Sequence, residues 1–191
     1  MGNVAEILAR YRVLCDYCSA LNRRVESRFG SAWQCRPGCG GCCRLQTVCG
    51  LEAAVLLAGG AGNASAFGKA GDEGCCLLRD GLCRFYRHRP LICRTHGMPL
   101  ASAELTGGEV DCCPLNLPAL VGVDELEADL VLDLDLVTEN LLRLNLALFL
   151  LLGRPEMAEM RFPLTSLAGG GKGLPPELLA AAREMVSEDA G

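Results

Sequence analysis

"DLVLDLDLVTENLLRLNLALFLLLGRP", residues 129–155, contains the most apolar stretch of the chain, Leu141–Leu152, and its reading decides the fold class. From about Asp133 or Asp135 onward it holds no proline or glycine until Gly153. An aspartate suited to capping opens it and Gly153 closes it, so the pattern predicts one long helix from about Asp133 or Asp135 to Gly153. The Leu-Asp alternation at its start would also suit a short strand. Leu141–Leu152 is too short to span a bilayer, and any extension backward meets Glu139, Asp135 and Asp133. The stretch therefore reads as a buried helix in a mainly α domain with little or no sheet, and no membrane partner is expected.

Working outward, Val4, Leu8, Tyr11, Cys15, Cys18, Val25 and Phe29 recur at helical spacing, while Arg10, Arg12, Arg23, Arg24 and Glu26 occupy the rest of the wheel. This predicts an amphipathic helix over the first thirty residues, with a break near its middle as an option. Cys15 and Cys18 share its apolar face, where a thiol packs as a small hydrophobe. "LEAAVLLAGG" reads as a short helix stopped at Gly59, and "GGAGNASAFGKAGDEG" as a surface loop. The sequon Asn63-Ala64-Ser65 carries no meaning without export. "GGGKG" reads as a flexible link; it is no phosphate loop, because Lys172 is followed by glycine. "LPPELLAAAREMVSEDAG" is an acidic-ended helix with proline in its first turn. Four regions of one domain result: an N-terminal helix (1–30), a cysteine-rich region (31–118), a Leu-rich helical region (119–168), and a link with a terminal helix (169–191).

Half of the 191 residues are hydrophobic, enough for a real core, so the 13 cysteines are not needed as staples for a coreless chain. The start, "MGNVAEILARYRVLC", lacks a basic segment followed by an unbroken apolar one, and Glu6 stands where a myristoylation motif wants Ser or Thr. A cytoplasmic location is expected, where clustered thiols more often bind metal or do redox chemistry than form disulfides. A formal net charge of −5 gives no footprint for nucleic acid.

The thiols concentrate between residues 35 and 113. "CRPGCGGCC" places Cys35, Cys39, Cys42 and Cys43 in nine residues, and further thiols follow as Cys49, Cys75, Cys76, Cys83, Cys93, Cys112 and Cys113. Short spacings in a Gly-rich loop let several thiolates converge without closing a long loop, and Cys39-Gly-Gly-Cys42 has knuckle spacing. Neighbouring cysteines project differently, so the doublets Cys42-Cys43, Cys75-Cys76 and Cys112-Cys113 each imply two metals or one bystander. Eleven thiols exceed one tetrahedral ion; two four-thiolate sites, or a four-iron cluster plus a zinc, would use eight. Arg36, Arg44, Arg79, Arg84, Arg87, Arg89 and Arg94 interleave these thiols and could offset the −2 charge of a tetrathiolate site. His88 and His96 are the only histidines; His96, three residues after Cys93, has a spacing that permits ligation, although a lone histidine beside a turn is more often a surface residue.

"CRPGCGGCC", followed by Glu52 and then by "GLCRFYRHRPLICR", closely resembles the YkgJ-type cysteine-cluster family, which is described as a zinc- or iron-chelating domain. The resemblance covers about residues 30–115 and is most specific in its second segment. It implies Cys35, Cys39, Cys42 and Cys43 in the first segment, and Cys83, Tyr86, Arg89, Pro90, Cys93 and Arg94 in the second. Cys49 and the Thr95-His96 pair depart from the family pattern and leave both Cys49 and His96 undecided. Thiol density and resemblance together give a metal core of Cys35, Cys39, Cys42, Cys43, Cys83 and Cys93, completed by Cys75 or Cys76 and by Cys112 or Cys113. The expected partner is zinc or iron, as a mononuclear ion or an iron-sulfur cluster.

Cys35, Cys39 and Cys42 also match the C-x3-C-x2-C spacing of radical S-adenosylmethionine enzymes, and "GGE" at 107–109 resembles a motif of theirs. Gly41 stands where those enzymes carry an aromatic residue, Cys43 adds a competing ligand, and strand-helix alternation for a barrel is lacking. No nucleophile elbow, dinucleotide fingerprint or Cys-His pair at motif spacing is present. A binding module is favoured over an enzyme; an enzymatic role would be that of an iron-sulfur oxidoreductase.

Overall fold

The structure, a computed structural model, describes residues 2–36, 38–61, 74–120 and 126–188. Helix outweighs strand, 57% against 8%, so the protein is mainly α. The helices are α1 (Val4–Phe29), α2 (Gly50–Leu56), α3 (Leu91–Thr95), α4 (Leu117–Leu120), α5 (Leu134–Leu151) and α6 (Pro176–Glu188). Among the described residues, seven strands of two residues each form three small sheets. β1 (Thr47–Val48) pairs antiparallel with β7 (Phe162–Pro163), and β2 (Leu78–Arg79) with β3 (Leu82–Cys83). β4 (Leu100–Ala101) lies between antiparallel β5 (Val110–Asp111) and parallel β6 (Leu132–Asp133). Among the described residues the largest sheet has three strands.

α1 is unbroken. Asn3 caps it: its side chain accepts from the Glu6 N–H at 2.9 Å. In return the Glu6 carboxylate accepts from the Asn3 N–H at 3.2 Å, so two otherwise orphaned donors are satisfied reciprocally. Leu8, Tyr11, Cys15, Cys18, Leu21 and Val25 form its buried face, which packs against α3, α5 and α6. Both cysteines expected as core residues are therefore in the core, and burial pushes the Cys18 thiol up to about 11.

α2 is the central helix: all seven of its residues are buried, and it packs against α5 and α6. Its close approach to α5 depends on Gly50, where a Cβ would collide with the Phe149 ring. Burial leaves the first-turn N–H groups of α2 away from water, so other side chains must accept them. Asn145, a buried polar residue inside the Leu-rich helix, does this: its Oδ1 accepts from the Leu51 N–H at 3.1 Å, and its Nδ2 donates to the Ala158 carbonyl at 2.7 Å. Beyond Leu56 the backbone widens into a π-type turn through Ala61, with Gly60 at φ 104°, so the stop lies close to the expected Gly59.

α5 is the expected long helix, capped by Asp133, whose carboxylate accepts from the Leu136 N–H at 2.8 Å. The Leu-Asp alternation before it contributes β6, so helix and strand readings are both realised in succession. Its burial differs from expectation. Leu134, Val137, Asn145, Leu148 and Phe149 are buried, whereas Leu136, Leu142, Leu146 and Leu150 are about half exposed. A helix with one packed side buries one stripe at 3.6-residue period, however apolar its other faces are. No helix among the described residues is long and apolar enough to cross a membrane.

The glycines at 169–173 are not a mere link. Gly171 is buried at φ 69°, and a Cβ there would strike Leu57, so it brings the chain onto the end of α2 before α6 begins. The loop with Asn63-Ala64-Ser65 lies largely outside the described residues.

Candidate functional site

The first cysteine loop, residues 33–46, has neither helix nor strand among its described residues. Cys39 is turned by its N–H donating to the Arg36 carbonyl at 2.9 Å, and Cys43 by donation to Gly40 at 3.0 Å. One buried side chain fixes the loop's start. Asn116 is fully buried; its Oδ1 accepts from the Gln34 N–H at 2.8 Å, and its Nδ2 donates to the Gly97 carbonyl at 2.9 Å and to Cys35 Sγ at 3.2 Å. The Asn116 N–H closes a turn onto the Cys113 carbonyl at 2.7 Å, bringing the third doublet to Cys35. Gly97, at φ 91°, makes room, since a Cβ there would collide with Cys35 Sγ. Residue reading missed both Asn116 and Gly97. The signal available was weak: an Asn three residues after Cys113, and a Gly after His96.

The second doublet is tied to the first by backbone. The Cys75 N–H donates to the Cys43 carbonyl at 2.9 Å. Asp80 at φ 53° and Gly81 at φ 77° then reverse the chain, and Leu78 pairs with Cys83 across the turn. Positive φ at both central residues is what a tight two-residue hairpin requires. Cys93 sits in α3, whose first turn is held by Glu52: its Oε1 accepts the Leu91 N–H at 2.9 Å. Arg94 ties the same segment to α1, donating from Nε to the Arg89 carbonyl at 3.1 Å, from Nη1 to Ser19 Oγ at 3.0 Å and from Nη2 to the Arg87 carbonyl at 2.8 Å. The planar fork of arginine suits three acceptors at once.

The thiols fall into two electrostatic neighbourhoods. Cys35 is pushed up by burial, lowered by the Asn116 hydrogen bond, and raised again by Cys113, Cys39 and Cys42. Cys93 is pushed up to about 12, by burial first and then by Cys75 and Cys83. Cys43 is pulled down by the Cys42 thiol donating to it, against burial and the neighbouring Cys93, Cys75 and Cys83. Cys83 is raised by burial and by Cys75, and lowered by the Phe85 N–H and the Arg89 guanidinium. One neighbourhood thus contains Cys35, Cys39, Cys42 and Cys113, with Cys112 beside Cys35 and Cys113, and the other contains Cys43, Cys75, Cys83 and Cys93, with Cys76 beside Cys75. The first doublet is split between them, although its two thiols still reach each other. Among the described residues, no group of three or more Cys, His, Asp or Glu side chains is drawn together closely enough to hold a metal ion.

The other doublet members adjoin these groups, Cys76 next to Cys75 and Cys112 next to Cys113 and Cys35. Cys76 is buried, and the Cys75 thiol donates to it and lowers it. Cys112 is buried with Sγ 3.5 Å from the Cys113 carbonyl, and burial pushes it up to about 11. The undecided Cys49 is buried before α2, with Sγ 3.5 Å from Glu52 Oε2. His96 is exposed. Of the arginines, Arg89 is the one that lowers Cys83 and Cys93; Arg94 lowers Cys15 and Cys18 in the core.

Glu52 gives this region a pH dependence. Burial raises its carboxyl above the usual 4.5, outweighing the Leu91 N–H and Cys49, which lower it. A folded value above the unfolded one contributes stability fully below about pH 4.5, and that stability is lost as pH rises through the folded value. Glu52→Gln retains an acceptor for Leu91 and removes the titration. Its melting temperature is expected to fall less than that of the parent as pH rises above about 4.5; overlaid profiles would show that Glu52 does not titrate in the folded protein.

No family model, curated protein or solved structure matches this chain.

Proposed function

We propose that the protein is a metal-chelating cysteine-cluster protein that takes zinc or iron in two four-thiolate sites. The observation that carries this reading is the gathering of the loop thiols into two groups, Cys35/Cys39/Cys42/Cys113 with Cys112 alongside and Cys43/Cys75/Cys83/Cys93 with Cys76 alongside, each of which holds the four thiols a closed site needs. Eight is the number two closed tetrahedral sites require, and soft thiolates suit zinc and iron-sulfur chemistry alike. The resemblance to the YkgJ-type family supports the same reading, since six of the eight belong to its motif. Arg89, buried beside Cys83 and Cys93, supplies positive charge where thiolates would gather. The sulfurs would have to draw closer than they stand here, which the loop placement of the first set and the end positions of the hairpin allow. A closed zinc would supply a cross-link between loops, and an iron-sulfur cluster would supply one-electron transfer.

Metal analysis of protein purified without oxygen tests this. About two equivalents of zinc plus mononuclear iron are expected for two closed sites. Under about half an equivalent would overturn the reading. Brown colour with acid-labile sulfide would favour the redox alternative, whereas a colourless protein that releases zinc on thiol modification would favour the chelating module.

A further inference from the structure

A cleft of about 480 Å³ opens between α1 and the Tyr86–Arg94 segment. Its charge opposes that of the chain: Arg12, Arg23, Arg87, Arg89 and Arg94 line it against Asp16 and Glu26, in a protein of net charge −5. The innermost cation is built in rather than solvated. Arg89 is 9% exposed, its guanidinium lies 3.9 Å over the Tyr86 ring, and Nη1 donates to the Tyr86 carbonyl at 3.2 Å. Its Nε is buried without a hydrogen-bond partner among the described residues.

A buried guanidinium N–H without an acceptor is costly, and its geometry is matched best by a phosphate or carboxylate oxygen. In the same cleft wall the Asn22 Oδ1 is buried and also lacks a partner among the described residues, so one acceptor awaits a donor. Arg94 is committed to backbone and Ser19, which fixes the Arg89 backbone while leaving a positive charge in the cleft. At the rim the chain's own Glu188 carboxylate pairs with Arg12 at 3.0 Å, a sample of the chemistry the cleft accepts. A cleft of this volume suits a small molecule, and the net acidity of the chain disfavours a long polyanion such as nucleic acid.

We propose that this cleft binds a small organic polyanion, bearing two or more phosphate or carboxylate groups and at least one hydroxyl or amine donor, with Arg89 as inner anchor and Arg23 and Arg87 as rim contacts. The Asn22 carbonyl oxygen accepts from the ligand's donor. The metal sites are not required for this binding.

Calorimetric titration of the full chain with fructose 1,6-bisphosphate and, separately, with citrate tests the proposal and distinguishes phosphate from carboxylate sources. At least one probe is expected to bind with Kd below about 1 mM at roughly 0.15 M salt. The double variant Arg23→Glu/Arg87→Glu, both positions exposed, is expected to weaken that binding at least about tenfold with unchanged metal content and melting temperature. If the double variant fails to fold, Arg87→Ala decides, with an expected loss of at least about threefold. Binding of both probes weaker than about 1 mM, or undiminished binding by the folded variant, would overturn it.

Discussion

Cys93→Ser is expected to lower the metal content of protein purified without oxygen from about two equivalents to about one, and Cys39→Ser to do the same at the other site. The two substitutions remove one thiolate from each neighbourhood, since Cys93 is grouped with Cys43, Cys75 and Cys83, and Cys39 with Cys35. A closed thiolate site depends on its full ligand set, and its binding energy, on the order of 10 kcal/mol for structural zinc, is also folding energy. Each single variant should therefore melt well below the parent, and the double variant should hold almost no metal. Cys76→Ser is the internal control: among the thiols Cys76 meets Cys75 alone, and its loss should leave about two equivalents. If Cys93→Ser left the count untouched, the partition would be wrong; if either single change emptied both sites, the eight thiols would form one shared cluster.

Phe149→Ala is expected to destabilise the fold by about 3–5 kcal/mol in chemical denaturation, a large share of the roughly 5–15 kcal/mol of a typical domain. The ring is fully buried and fills the space above Gly50, where α2 and α5 approach each other through the missing Cβ. Neither helix can close over the gap, because Asn145 holds α2 and α5 in register through the Leu51 N–H. Gly50→Ala should be destabilising for the complementary reason, by overfilling rather than emptying the same contact. Leu150, next along the chain, is 57% exposed. Its replacement by alanine is expected to change stability by no more than about 0.5 kcal/mol. A cost at Leu150 comparable to that at Phe149 would mean that the outer leucines of α5 are covered in solution.

The long helices were legible because their information is local. α1 follows from its apolar period, α5 from an unbroken apolar run between Asp133 and Gly153, and α6 from the proline in its first turn. The strands were not, since each is two residues long and depends on a distant partner, as Thr47 depends on Pro163. Which stripe of α5 is buried was also hidden, because an almost uniformly apolar helix shows no face of its own. At the candidate site the thiols could be enumerated from sequence, but their division could not. That division depends on Asn116 holding Cys35 and on the Cys75 N–H reaching Cys43, both contacts between segments far apart in the chain.

The hairpin between β2 and β3 also bears on the order in which the site assembles. Cys75 and Cys83 are eight positions apart and belong to one locally folded reversal, whereas Cys43 and Cys93 are fifty apart. Closing the longer span costs no more than about 2 kcal/mol beyond the shorter one, so the hairpin changes final affinity little. It changes sequence in time. A two-thiol claw exists as soon as the reversal forms, and an ion caught there would wait for the other two sulfurs to arrive with the tertiary fold.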